Sequence, residues 1–206
     1  SKLRLVAAAL LPMIASVPLP SDSAGLAPSF EPLSLEKSSA SVPPVIETPE
    51  KFAPGLAVTN VSLPGPALPK DYPASLELIK TFYKTKPILG VCLGMQMIVE
   101  CFSGELYNLE NVQHGKRIEV FKTQDCVLLD NIPFPMKVGL YHSWAMDKDV
   151  PVEELIITSA TKENIPMSLK HREYNTFGVQ FHPESYMTKD GLLLMKNWLS
   201  VVNKTN

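Results

Sequence analysis

One cysteine in this chain stands between two glycines, in Gly90-Val91-Cys92-Leu93-Gly94. An apolar run, Pro87 to Val91, leads into it and an amphipathic run leads out. This is the G-x-C-x-G spacing of a nucleophile on a sharp strand-to-helix turn. Such a turn strains the backbone at the nucleophile and brings neighbouring main chain close, so larger side chains at either glycine would clash. A cysteine at a helix N-terminus meets unpaired N–H groups and the positive end of the dipole, which favour thiolate over thiol. The N–H of Leu93 would point to where an oxyanion forms.

A thiolate needs a base, and the chain offers His114, His142, His171 and His182. His182 stands out, in Gly178-Val179-Gln180-Phe181-His182-Pro183-Glu184-Ser185. A β-rich run leads into it. Pro183 is expected to keep the backbone extended, so that His182 and Glu184 project to one side. Glu184 could then hold the imidazole in one tautomer, as the third member of a triad does. Taken singly, each piece also reads as structure: an inert cysteine at a strand end, and a histidine beside an unrelated surface glutamate. Together they point to covalent catalysis at sulfur. His142 and His171 read as structural or surface histidines. Cys101 and Cys126 read as small apolar packing residues, and Trp144 and Trp198 as core or interface aromatics.

These residues must be positioned by a fold, and the surrounding patterns predict one. Helical spacing runs over Leu76 to Tyr83, and over Gly94 to Phe102 with Met95, Ile98, Val99 and Phe102 on one stripe. Strands are expected at Leu56 to Val61, Pro87 to Val91, Arg117 to Phe121, Met136 to Gly139, Leu155 to Ser159, Met167 to His171 and Thr176 to Phe181. A last helix is expected over Leu192 to Val201, after Gly191. Helix and strand alternate early and strands cluster later, which predicts an α/β sheet with a strand-rich half.

Residues 1–54 differ in composition. They hold Pro18, Pro20, Pro28, Pro32, Pro43, Pro44, Pro49 and Pro54 and no helical or strand period, so they read as linker, leader or substitute strand, and residues 55–206 as the domain. The basic start and apolar stretch Leu5 to Val17 look leader-like and leave a secreted or organellar location open. Asp22, Glu31 and Glu36 argue against a transit peptide. With 45% hydrophobic and 19% charged residues and a net charge of −2, the 206-residue chain suits neither disorder nor nucleic-acid binding. Its apolar runs are too interrupted for a bilayer. Three cysteines exclude a disulfide scaffold and suit a reducing, cytoplasmic compartment.

The Cys92 and His182 motifs together resemble those of the class I (triad-type) glutamine amidotransferases. His114-Gly115-Lys116 and Tyr141-His142-Ser143-Trp144 narrow the resemblance to the glutaminase component of anthranilate synthase and of 4-amino-4-deoxychorismate synthase. The resemblance implies a three-layer flavodoxin-like fold, its sheet mostly parallel with a smaller antiparallel part. It implies that Cys92 attacks the side-chain amide of L-glutamine, that His182 shuttles protons and that Glu184 orients His182, with no cofactor and no metal. The oxyanion would rest on the N–H groups of Leu93 and Gly65, the latter with Pro66 and Ala67 in the loop Pro64 to Pro69. Gln96 and the Ser143-Trp144 backbone would hold the glutamine. Ammonia would pass to a chorismate-binding synthase subunit. His114-Gly115-Lys116 would lie in a loop facing that partner or the glutamine pocket, or form a surface turn with a left-handed glycine.

The chain departs from the family's pattern in three places. The opening strand–helix–strand unit is replaced, with a substitute strand from Leu3 to Ile14 as one solution. Leu63 is inserted before the Pro-Gly loop, and Ala67 replaces a glycine there. Leu140 stands where arginine is usual, with the loss of a charge. Two other readings stay open: a partner-binding subunit with impaired catalysis, and an amidotransferase of another pathway such as histidine biosynthesis.

Overall fold

The computed structural model describes residues 68–205. The readings for residues 1–54, the strand over Leu56 to Val61, and Gly65, Pro66 and Ala67 lie outside them. A 3-10 turn, Pro69–Asp71, leads into α1 (Pro73–Phe82), β1 (Ile88–Val91) and α2 (Leu93–Cys101). Then come β2 (Leu106–Lys122), β3 (Met136–Met146), β4 (Leu155–Ala160), β5 (Pro166–His171), β6 (Thr176–Val179) and α3 (Gly191–Thr205).

The six strands form one sheet in the order β1-β6-β5-β4-β2-β3. Of the expected parallel sheet, the described residues hold the β1–β6 pair; the other four pairings form the antiparallel part. Every residue of β1 is buried, which fits its continuous apolar sequence. The period of two still sorts its faces. Ile88 packs with α1 and α2, whereas Leu89 and Val91 pack with Trp198, Leu194 and Val201 of α3. The sheet therefore separates two apolar layers.

The seat of α2 is made of paired glycines. Gly90 of β1 stands opposite Gly178 of β6. A Cβ on Gly90 would run into the Gly94 carbonyl and come within 2.7 Å of Ile98, and one on Gly178 would come within 2.8 Å of Met95. With hydrogen in both places, α2 lies directly on the sheet. Met95, Ile98 and Val99 of the expected stripe are fully buried there.

Two strands are much longer than the sequence pattern predicts. β2 runs for 17 residues and β3 for 11. They pair as a hairpin with register shifts between Asn108 and Gln113 and between His114 and Lys116. From Leu106 to Arg117, Leu109 is the one described residue that is buried. An arm with little core contact leaves no alternating apolar signal. His114-Gly115-Lys116 is accordingly not in a loop: it forms an irregularity within β2, with Gly115 at φ 64°. Leu140 is buried at 1% exposure in the core cluster, where an unpaired charge would be costly. Trp198 and Cys126 are core residues as expected, and Cys101 is half-buried with its Sγ 3.5 Å from the Leu76 carbonyl.

Candidate active site

Cys92 ends β1 and caps α2 with φ 54° and ψ −108°, a region that costs a residue with a side chain about 1–3 kcal/mol. Surrounding bonds hold it there. Its N–H donates to the Val179 carbonyl at 2.8 Å, extending the β1–β6 ladder by one step, and its carbonyl accepts from Gln96 N–H at 3.2 Å. The close approach at Gly90 lets the chain reverse within that step. The clash expected at both flanking glycines is found only at Gly90: a Cβ on Gly94 would meet no described atom within 4 Å. Leu93 is the first residue of α2, so its N–H is one of those a helix leaves unpaired.

His182 lies three residues beyond β6 and is 8% exposed. Its N–H donates to the Gly139 carbonyl at 3.2 Å. The Thr188 hydroxyl donates to the His182 carbonyl at 2.6 Å and accepts the Gly139 N–H at 3.0 Å. Thr188 thus clasps β3 to the histidine backbone, a role that nothing in its sequence context announces.

Nδ1 of His182 donates to Oε1 of Glu184 at 2.7 Å. The two residues do share a side, but for a different reason from the one expected. Residues 182–185 form a turn closed by Ser185 N–H on the His182 carbonyl at 3.1 Å, with Pro183 at its second position. Nε2 is then left for the Cys92 sulfur. Burial of the imidazole pushes its pKa down, but hydrogen bonds to Cys92 and Glu184 outweigh that and lift it to about 10. Burial pushes the Glu184 carboxyl up, yet the bond to His182 and its charge leave it below the ordinary value. The Tyr141 ring meets the imidazole edge-to-face, with centroids 5.3 Å apart, and meets the His114 ring in the same way at 5.6 Å.

Behind the sulfur runs a chain of amides. Gln96, one turn along α2 from Cys92, donates from Nε2 to the Trp144 carbonyl at 2.8 Å and to Oε1 of Gln180 at 3.2 Å. Nε2 of Gln180 reaches the Cys92 Sγ at 3.7 Å. Gln180 is fully buried, and sequence reasoning missed its role. The signal was a lone amide between Val179 and Phe181 in an otherwise apolar strand end. With both hydrogens of Gln96 engaged, its Oε1 is the atom left to meet a ligand. The Trp144 carbonyl also accepts from Nδ1 of His142 at 2.9 Å, which fills its two lone pairs. Ser143, beside it in β3, is half-buried. Burial pushes the His142 pKa down to about 4, so this ring is neutral and structural, as expected. Among the described residues, no cluster of His, Cys, Asp or Glu could hold a metal, and no helix is long and apolar enough to cross a membrane.

The structure thus brings Cys92, His182, Glu184, Leu93, Gln96 and Trp144 together around one sulfur. Such a site can attack a carbonyl carbon and move a proton. The family model for class I glutamine amidotransferases matches residues 53–202. Anthranilate synthase component 2 of Lactococcus lactis is 39% identical over 142 residues, 68% of this chain and 72% of that protein. Aminodeoxychorismate/anthranilate synthase component 2 of Bacillus subtilis is 32% identical over 159 residues, 77% of this chain and 80% of that protein. The crystal structure of a glutamine amidotransferase from Thermotoga maritima superposes with a TM-score of 0.51 at 22% identity, over 68% of this chain and 58% of that one, and shares its fold.

Proposed function

This chain belongs to the class I glutamine amidotransferases, and on that footing we propose that it hydrolyses L-glutamine at Cys92 and hands the ammonia to a chorismate-binding synthase. The observation that carries the reading is the 2.7 Å contact of His182 with Glu184 beside a cysteine held at positive φ. The Cys92 thiolate attacks the side-chain amide carbon, and the oxyanion is stabilised by the Leu93 N–H and, as the resemblance implies, that of Gly65. As the C–N bond breaks, the imidazolium of His182 gives its proton to the departing nitrogen, which leaves as ammonia. A glutamyl thioester remains. Water then attacks it, His182 takes up a proton, and glutamate leaves with the thiolate restored. Glu184 keeps Nδ1 protonated and Nε2 aimed at sulfur throughout. Gln96 Oε1 accepts from a donor on the substrate.

The relatives support this choice of acceptor. Both proteins above are named as component 2 of a synthase, of anthranilate in one and of aminodeoxychorismate and anthranilate in the other. The test is glutamate release by the purified chain, alone and with a chorismate-binding synthase component, followed by identification of the aminated product. Release that rises with the partner and vanishes in Cys92→Ser supports the reading. No release with a competent partner and reduced Cys92 refutes it.

A further inference from the structure

Resting on that reading, we propose that Gln180 is a hydrogen-bond donor that holds the attacking sulfur in its ionised form. The direction of the amide chain is fixed from its far end. The Trp144 carbonyl can only accept, so Nε2 of Gln96 must face it at 2.8 Å. The second hydrogen of that nitrogen points at Gln180, 3.2 Å away, and requires an oxygen there. Oε1 of Gln180 is thereby turned toward Gln96, and Nε2 toward Cys92 Sγ at 3.7 Å. Flipping Gln180 would set two NH2 groups against each other and a carbonyl oxygen against the sulfur.

The rest of Gln180 has little freedom to move. The residue is fully buried, and its backbone N–H donates to the Met167 carbonyl at 2.9 Å. A donor locked in place acts on one protonation state of its acceptor. A hydrogen bond to a thiolate is stronger than one to a thiol, so a fixed donor favours the charged form of the sulfur it faces. His182 also favours the charged sulfur, but its proton must leave during the reaction. The Gln180 hydrogens do not move, so they face the sulfur through both half-reactions.

The test uses the full chain and reads the rate of Cys92 alkylation by iodoacetamide across pH, peptide by peptide, with Cys101 and Cys126 as internal controls. Two variants are compared, Gln180→Met, which keeps the volume, and Gln180→Glu, which keeps the shape and loses the donor. The midpoint of the Cys92 profile is expected to rise by about one pH unit, with an approximately tenfold loss of labelling on the acid side of the midpoint. kcat for glutamate release is expected to fall by a similar factor while KM holds. A folded variant with an unmoved Cys92 midpoint overturns the inference, and if the Met variant does not fold, the Glu variant decides. Rapid labelling and glutamate release by the unaltered chain, together with unmoved variants, would sink the Gln180 role alone. Labelling at the rate of an ordinary thiol and no glutamate release would sink the enzymatic reading with it.

Discussion

Replacing Glu184 with glutamine keeps an acceptor beside His182 and removes the charge. The 2.7 Å contact is charge-assisted, a kind of bond worth about 1.5–3 kcal/mol. Some 40% of the Glu184 side chain is exposed, so solvent screens part of this, and about 1.5 kcal/mol is the appropriate figure. In a domain of this size that is roughly 3–6 °C in Tm. The pH dependence identifies the source. His182 has its folded pKa raised from 6.5 to about 10. Its contribution is fully present below pH 6.5 and is lost as the pH rises through the folded value. Thermal melts of the parent and Glu184→Gln at half-unit steps from about pH 6 to about pH 10.5 should therefore show the largest gap at the acid end. The gap should narrow toward pH 10 and close above it, where the ring has lost its proton in both. Other groups that titrate in this window are common to both proteins and cancel. A gap that is constant, or that widens with pH, would refute the ion pair as the origin of the effect.

The strain at Cys92 predicts that Cys92→Gly is more stable than Cys92→Ala by about 1–2 kcal/mol in denaturant titrations, although neither should release glutamate. Equal stabilities would mean that φ 54° carries no penalty. Thr188→Val removes both hydrogen bonds of the clasp from a buried site, and about 2 kcal/mol of stability should go with them in the same assay. Glutamate release should fall as well, because the backbone of His182 loses a tether. Unchanged urea midpoints would show that the clasp contributes nothing.

The parts of the fold that were legible in the sequence are those where burial is one-sided or complete. Ile88 to Val91 and the Met95, Ile98, Val99 stripe carry their environment in their types, and both elements lie within a residue or two of the expected bounds. The β2–β3 arm was not legible, because Asn108, Gln113, His114 and Lys116 of β2 are all polar and show no apolar alternation. At the site, Cys92, His182 and Glu184 could be read from local spacing, and their relative geometry is consistent with that reading. The cause was misjudged at Pro183, where a turn does what extension was expected to do. Gln180 and Thr188 escaped notice because their bonds span 88 and 49 residues of chain, to Cys92 and Gly139. No window along the sequence contains both ends of either contact.

The Thr188 hydroxyl has a mechanical consequence. It accepts a hydrogen bond from one side, the Gly139 amide of β3, and donates one to the other, the His182 carbonyl. Tyr141, two residues further along the same strand, rests its ring edge against the imidazole. The long β-arm is thus fastened to His182 at two points, its backbone through Thr188 and its ring through Tyr141. A displacement of β3 at Gly139 or Tyr141 therefore has to be shared with His182, although neither residue lies near it in the sequence.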